Sequence, residues 1–251
     1  KSTAIKNIIK TDIVSIKATA SNEEVANIMN KYDLIVLPVV DNVNKLIGRI
    51  TIDDVIDIVK EEAEKDYQMA SGISEDIEIN SNVWSLTRAR LPWLLIGMIG
   101  GILGAKVIGI FNLKENIELA FFIPLITAMG GNVGVQSAAI VVQGLANDSL
   151  KIKNISERLF KELIVSIVNG LICGIIILLM TIILGYNIYL AITVSISLIS
   201  VIIFAALFGT FIPLTLDRYK IDPALATGPF ITTANDILGL FIYFLIGQSI
   251  L

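Results

Sequence analysis

The sequence predicts an α-helical transmembrane domain of five spans, preceded by a small α+β module. Of the 251 residues, 55% are hydrophobic and only 17% are charged, whereas soluble domains have roughly 25% charged residues. The charge is also uneven, because residues 1–90 hold 26 of the 42 charged residues. No charged residue occurs over the 29 positions 119–147 or the 54 positions 163–216. We therefore expect a water-exposed N-terminal part followed by a membrane-embedded part.

The composition excludes several classes of function. The chain has no histidine, which excludes histidine-based metal sites, proton relays and nucleophile–base pairs. The single cysteine, Cys173, cannot form an intramolecular disulfide. A net charge of −4 argues against nucleic acid as a partner. No residue pattern resembles a nucleophile–base arrangement, so we do not expect an enzyme. Because residue 1 is Lys, we expect the chain to be part of a longer protein.

Five apolar segments are long enough to cross a bilayer. About 20 apolar residues span the hydrocarbon core, so the 54-residue run must hold two helices, separated at the Gly185-Tyr186-Asn187 turn. No apolar segment lies near residue 1, which excludes a signal peptide there. The predicted spans cover roughly 92–112, 118–146, 163–184, 190–215 and 223–251.

The distribution of Lys and Arg predicts the orientation of these spans. Eight basic residues lie on the side of the N-terminal module and two on the opposite side. Positive charge is enriched in cytoplasmic loops, so we expect a multi-pass cell-membrane protein with a cytoplasmic N-terminus and an outer C-terminus. The eight are Arg88, Arg90, Lys151, Lys153, Arg158, Lys161, Arg218 and Lys220, and the two are Lys106 and Lys114.

Span two mixes glycines with amides in the run Gly130-Gly131-Asn132-Val133-Gly134-Val135-Gln136-Ser137. Small residues four apart let helix backbones approach closely, and helix packing is the expected role of the similar glycines in span one. Asn132 and Gln136, however, lie one turn apart on one face at membrane depth, where amides need partners or water. We expect this face of span two to line a hydrated path, with close helix packing as the alternative.

Asp236 is the one charged residue in span five. At 1.5 Å per residue it lies roughly 20 Å from either end, near the membrane midplane. A carboxylate there costs on the order of 2.5–3.5 kcal/mol on insertion scales, so we expect it to face water, a cation or a partner. Thr232 lies one turn earlier on the same face, and no basic residue lies at similar depth. A protonated or hydrogen-bonded structural Asp is the alternative.

An unpaired, oxygen-rich anion at the midplane predicts a cation path. Without histidine or a suitable cysteine, soft metals lack their preferred ligands, and oxygen-only sites suit Mg²⁺ or Ca²⁺. Mg²⁺ keeps several waters and needs only one or two carboxylates, so one Asp per chain, doubled by a two-fold axis, fits a hydrated Mg²⁺. The residues alone leave Na⁺, Ca²⁺, Mn²⁺ and Co²⁺ open.

The N-terminal module, residues 1–70, reads as β-α-β-β-α. The strands are expected at 12–16, 34–40 and 46–52, and a helix capped by Ser21 runs to about Lys31. In the second helix, seven of the fourteen residues 53–66 are acidic. Helix-dipole effects explain acids in its first turn only. The others form either a solvated face or a surface that binds divalent cations. Residues 71–82 are expected to be a polar linker, 83–91 a helix at the inner membrane face, and 92–251 the membrane domain.

Two sets of motifs resemble known families. Leu37-Pro38-Val39-Val40-Asp41, followed by the stretch from Leu46 to Val55, resembles a CBS module. Pro124 with the run from Gly130 to Ser137, and Asp222-Pro223-Ala224-Leu225 with Asn235-Asp236, resemble the MgtE family of magnesium channels. The order of a CBS module and then five spans is also that of this family.

The resemblance implies a homodimer in a lipid bilayer, with a pore on the two-fold axis that is lined by spans two and five. Asp236 would bind hydrated Mg²⁺ there, with Asn132 and Thr232 near it along the pore. High cytosolic Mg²⁺ would close the pore by bridging acidic groups of the CBS modules and a plug helix, matched here to 83–91. The sensor candidates are Asp54, Asp57, Glu62 and Asp66, with Asp222 near the cytoplasmic mouth.

Only the second module of the family's CBS pair is present. Thr51 and Asp53 occupy a ribose-contact pattern, but without the first module the resemblance does not extend to a prediction of ATP binding. Three alternatives stay open besides a magnesium channel: a transporter of another divalent cation, a proton-coupled transporter in which Asp236 takes the proton, and a membrane sensor regulated through its CBS module.

Overall fold

The computed structural model describes residues 13–75, 77–78, 80–111, 116–146, 155–226 and 228–251. The chain divides into two compact units, Lys1–Asp66 and Tyr67–Leu251. Three of the loop lysines used to predict the orientation, Lys114, Lys151 and Lys153, lie outside the described residues.

In the first unit, the described residues from 13 onward form a three-stranded sheet with helices. Its elements are β1 (Ile16–Lys17), α1 (Asn22–Lys31), β2 (Val36–Val40), β3 (Leu46–Thr51) and most of α2 (Ile52–Ala70). β1 pairs in parallel with β2, and β2 pairs antiparallel with β3. The order is the predicted β-α-β-β-α. The first strand, predicted at 12–16, begins only at Ile16, and residue 12 lies outside the described part.

A small apolar core holds this unit together. Burying the side chains of both helices against the sheet removes apolar area from water, which is the main favourable term in folding. α1 begins as predicted, because Ser21 Oγ accepts a hydrogen bond from the Glu24 backbone N–H at 3.2 Å. The buried residues are Ile16, Val25, Met29, Leu37 and Val55.

The second unit is helical, and its described residues include five helices that are long and apolar enough to cross a membrane, as predicted. They are α3 (Val83–Ile110), α4 (Ile123–Ala146) with a 3₁₀ turn before it (Ile117–Phe122), α5 (Ile155–Ile183), α6 (Ile188–Arg218) and α7 (Pro229–Ile250); a second 3₁₀ turn (Pro223–Ala226) precedes α7. α6 packs against α4, α5 and α7, and α3 packs against α7.

Several boundaries differ from the sequence prediction: β2 begins at Val36 rather than at 34, and α7 begins at Pro229 rather than at 223. Residues 83–91, expected to be a separate helix, are the first turns of α3, which runs from Val83 to Ile110. Asn82 caps the start of this helix by accepting a hydrogen bond from the Ser85 N–H at 2.9 Å. The chain therefore passes through Leu91 and Pro92 without a break. α5 begins at Ile155 rather than at 163. Arg158 and Lys161, taken as loop residues in the orientation argument, thus lie on a helix.

Candidate cation site

The first turn of α7 positions the acidic residue predicted to bind a cation. Gly228 precedes the helix with φ +51°, a conformation that costs other residues energy, and Pro229 opens the helix. Thr232 Oγ1 donates to the Gly228 carbonyl at 3.0 Å, which holds its side chain against the turn. Asp236 follows one turn later on the same face of α7.

Asp236 lies on the wall of a cavity of about 1230 Å³. Thr232 and Thr233 of α7, Thr127 of α4 and a row of α3 glycines line the same space. The Asp236 side chain is half-buried. Its carboxylate and the neighbouring hydroxyls are oxygen ligands, which hard cations such as Mg²⁺ and Ca²⁺ prefer. The cavity is wide enough for a cation that keeps part of its water shell.

The glycines of α4 allow this helix to approach α7 closely. A Cβ at Gly131 would lie 3.0 Å from Thr232 Cγ2 and 3.8 Å from Asp236 Oδ1. A Cβ at Gly134 would collide with the Asn235 side-chain amide. The glycine motif was expected either to pack helices or to line a hydrated path. Both apply to one arrangement, because the close packing of α4 against α7 brings Gly131 beside Asp236.

Asn132 does not line this cavity. It lies on α4 next to Gly131 but is exposed in the single chain, as is Gln136 one turn later. The predicted shared face of these two amides is present. The structure thus brings Thr232 and Asp236 together, while Asn132 lies on the neighbouring face of α4.

Arg90 lines the other end of the cavity, a position that the sequence argument did not assign to the site. α3 contacts α7 where Gly100 faces Thr233, and Arg90 lies about 15 Å along the helix axis from there. The cavity therefore holds a carboxylate and a guanidinium at separate depths. Residues 83–91 were predicted as a separate helix, so only the structure places Arg90 on the same helix as the glycine row.

The acidic sensor candidates lie along α2. Asp54 and Asp57 are exposed, and Glu62 and Asp66 are half-buried. Among the described residues there is no group of three or more Asp, Glu, Cys or His side chains placed to hold a metal ion. The four candidates share a helix, and the single chain does not bring them into one metal site.

Asp54 has a structural role at the start of α2. Its Oδ2 accepts hydrogen bonds from the Thr51 hydroxyl at 2.6 Å and the Thr51 backbone N–H at 3.0 Å. These two bonds hold the pKa of Asp54 below its usual value of 3.8, and the bond from the Thr51 hydroxyl has the larger effect. The carboxylate therefore remains charged while serving as a helix cap.

Asp222 precedes the 3₁₀ turn before α7. Its Oδ1 accepts a hydrogen bond from the Ala224 N–H at 2.9 Å, so this carboxylate shapes the turn that leads into α7. Its side chain is exposed, which leaves its other oxygen accessible to solvent.

Two further residues in the membrane unit were not predicted. Thr127 lines the cavity one turn before Gly131, and helical spacing from the glycine motif identifies that position. Glu162 is buried on α5, where Ser137 Oγ donates to its Oε1 at 2.7 Å. Ser137 closes the α4 motif, but no sequence pattern pairs it with a residue 25 positions away.

Comparison with known proteins agrees with this architecture. Residues 123–246 match the family model for MgtE, described as a divalent cation transporter, and residues 5–61 match the CBS domain. A protein named magnesium transporter MgtE from Bacillus subtilis is 38% identical over 242 residues, 96% of this chain and 54% of that protein.

Two further proteins of the same name show similar coverage. The one from Enterococcus faecalis is 33% identical over 96% of this chain and 54% of its own length. The one from Thermus thermophilus is 31% identical over 99% of this chain and 56% of its own length. This chain thus spans about half the length of these relatives. It belongs to the MgtE family, a family of transporters rather than enzymes, with a CBS domain followed by the MgtE membrane domain.

Proposed function

We propose that this chain transports Mg²⁺ across the cell membrane through a pore built by two copies, and that Asp236 binds the hydrated ion in that pore. The observation that carries the proposal is the cavity wall formed by Asp236, Thr232 and Thr233 on α7 and Thr127 on α4. Mg²⁺ releases its water reluctantly and binds through one or two carboxylates. The name magnesium transporter, given to all three relatives, supports Mg²⁺ as the ion.

The substitution Asp236→Asn tests this role. It removes the charge and keeps the shape of the side chain. Interactions with charged groups contribute about 1.5–3 kcal/mol, so we expect Mg²⁺ uptake into liposomes to fall about tenfold or more. The matched control is Asp217→Asn at the end of α6, outside the cavity, which keeps wild-type uptake. Undiminished uptake by Asp236→Asn removes this residue from the mechanism.

The same liposomes separate the alternative functions. Ca²⁺, Mn²⁺ and Co²⁺ are offered in competition with Mg²⁺, and a pH-sensitive dye inside the liposomes reports proton movement. Mg²⁺ uptake without proton movement supports a channel. Uptake that requires a proton gradient supports a coupled transporter. Absence of any cation flux from the wild-type chain favours a CBS-regulated sensor.

The exposed amide face of α4 supports a pore between two copies. Asn132 and Gln136 are exposed in the single chain on a helix that is apolar enough to span the membrane. Amides facing lipid would leave hydrogen-bonding groups unsatisfied. A second copy of α4 across a water-filled pore satisfies them, and this arrangement brings Asn132 to the same pore as Asp236.

Cross-linking tests this interface. In a Cys173→Ser background, Asn132→Cys is expected to yield covalent dimers with a bifunctional thiol reagent in membranes. The control is Ile176→Cys on α5, which has a side chain that is 56% exposed on an apolar face and is expected to face lipid. Dimer yields that are equal for the two positions contradict a pore lined by this face of α4.

We further propose that Mg²⁺ on the N-terminal side closes the pore by binding the acids of α2, and that this side is the cytoplasm. Seven acids within residues 53–66 repel each other, and divalent cations relieve that repulsion. Ligands from other segments or the second copy complete each site, with Asp57, Glu62 and Asp66 as the contributors from α2. The last turn of α2 lies against the start of α7, as shown by the close approach of Gly228 to the Ala70 carbonyl, which leaves no room for a Cβ.

A further inference from the structure

Glu162 on α5 is a buried carboxylate outside the cavity that holds Asp236. Only 7% of its surface is exposed. Its Oε1 accepts from Ser137 Oγ at 2.7 Å, and its Oε2 lies 3.6 Å from Arg158 Nη2, one turn earlier on the same helix. Among the described residues that are buried, Glu162 is the one with a charged side chain.

The hydrogen-bond partner of Glu162 is on the helix that borders the cation site. Ser137 is 3% exposed on α4 and lies six positions after Gly131, the residue that faces Asp236. Two turns earlier on the same helix, α4 is held by α7, since Asn235 Nδ2 donates to the Gly130 carbonyl at 3.3 Å. Polar contacts thus join α4 to α7 and to α5 at two different heights.

Burying a charge is costly unless it is paired and hydrogen-bonded. α4 packs mainly against α6 and α7, so the Ser137–Glu162 hydrogen bond is a direct polar link from α4 to α5. Buried polar groups of this kind are best attested as devices that set the register of one helix against another. Here the register concerns α4, which carries Thr127 and Gly131 beside Asp236.

We infer that Glu162 is a positioning residue for ion discrimination: through Ser137, with Arg158 beside it, Glu162 sets the rotation and height of α4 and thereby the geometry opposite Asp236. This inference rests on the proposed function. Mg²⁺ demands near-ideal geometry, whereas Ca²⁺ tolerates variable coordination. Loosening α4 therefore lowers the preference for Mg²⁺ over Ca²⁺ before it abolishes transport.

The test uses Ser137→Ala and Glu162→Gln in the full chain in liposomes, with the ratio of Mg²⁺ to Ca²⁺ uptake as the readout. We expect each substitution to lower the uptake ratio about threefold or more, because residues in one hydrogen-bond network typically interact with energies that correspond to such a change. Ser137→Thr, which keeps the hydroxyl, retains the wild-type ratio. The matched control is Ser166→Ala: this buried serine of α5 donates to Leu163 O on its own helix at 2.9 Å.

Loss of stability alone does not reproduce this pattern, because Ser166→Ala removes an equally buried hydroxyl. An unchanged ratio in Ser137→Ala, or an equal change in Ser166→Ala, overturns the inference. If the Glu162→Gln variant does not reach the membrane, the uptake ratio of Ser137→Ala alone decides the inference. If the wild-type chain carries no Mg²⁺, the proposed function fails, and hydrogen exchange along α4 decides the inference separately. Faster exchange around 131–140 in Ser137→Ala and not in Ser166→Ala supports it, and equal exchange overturns it.

Discussion

Asn235 joins the helices around the cation site. Its side chain is 1% exposed and contacts α4 at Gly130 and Gly134. Gly209 of α6 approaches the Gly134 carbonyl from the other side. Three helices therefore meet next to Asp236 at positions where a methyl group does not fit. The polar turn that the sequence shows around Asp236 thus has two functions, since Thr232 faces the cavity and Asn235 fixes the packing.

Gly134→Ala is expected to destabilise the membrane unit. Its new methyl group collides with Asn235, and overpacking of this kind typically costs about 1–3 kcal/mol. Thermal unfolding in detergent measures the effect. Gly97→Ala on α3 is the control, because a Cβ there meets nothing within 4 Å and alanine favours a helix over glycine. Equal melting temperatures for the two variants would show that the close approach carries no energetic weight.

At the scale of elements, the last turn of α2, which belongs to the second unit, contacts the start of α7. α2 is one helix from Ile52 to Ala70, and its last turn lies where α7 begins at Pro229. Gly72, with φ +79°, faces Pro229, and Gly228 faces Ala70. Under the proposed gating, we expect a shift of this end of α2 to move the turn that positions Thr232 and Asp236.

Gly228→Ala tests that junction. Both the positive φ and the Ala70 carbonyl oppose a Cβ, so we expect lower stability and a changed response of transport to Mg²⁺ on the N-terminal side. Gly185→Ala is matched in conformation, with φ +84°, but has open space around it. It loses only the roughly 1–2 kcal/mol of a left-handed conformation. A Mg²⁺ response that is equally altered in both variants argues against coupling through this contact.

At the scale of the whole molecule, the two units differ in how their charged residues are distributed. The first unit has a small core and a helix rich in acids, whereas the second has long apolar helices with few charges. Four charged residues of the second unit lie at two distinct places among its helices. Asp236 and Arg90 line the cavity, and Glu162 with Arg158 lies between α4 and α5.

Protease protection by Mg²⁺ tests the sensor proposal on the full chain. We expect millimolar Mg²⁺ to slow cleavage around residues 60–90, because bound cations relieve the repulsion among the acids of α2. Na⁺ at equal ionic strength controls for general screening. Asp236→Asn keeps the protection, since it leaves α2 unchanged. Cleavage that is indifferent to Mg²⁺ contradicts the sensor.

Much of the architecture could be predicted from residue patterns. The five spans follow from the lengths of charge-free segments, and the β-α-β-β-α order follows from short apolar runs separated by turns. Element ends were less certain. The continuous helix Val83–Ile110 and the early start of α5 were missed, because the spans were placed from apolar runs and both helices extend beyond those runs into segments that carry charged residues.

The sequence by itself determined that Asp236 is exceptional, because a single carboxylate at membrane depth has a large cost that is independent of the fold. It also determined that Thr232 shares its face, since helical spacing is local. Only the tertiary structure decided that Thr127, Gly131 and Arg90 border the same space, that Asn132 does not, and that Ser137 meets Glu162. Those relations depend on how α3, α4, α5 and α7 pack. Packing follows from the close fit of small residues over many contacts between helices far apart in sequence, and no local pattern records it.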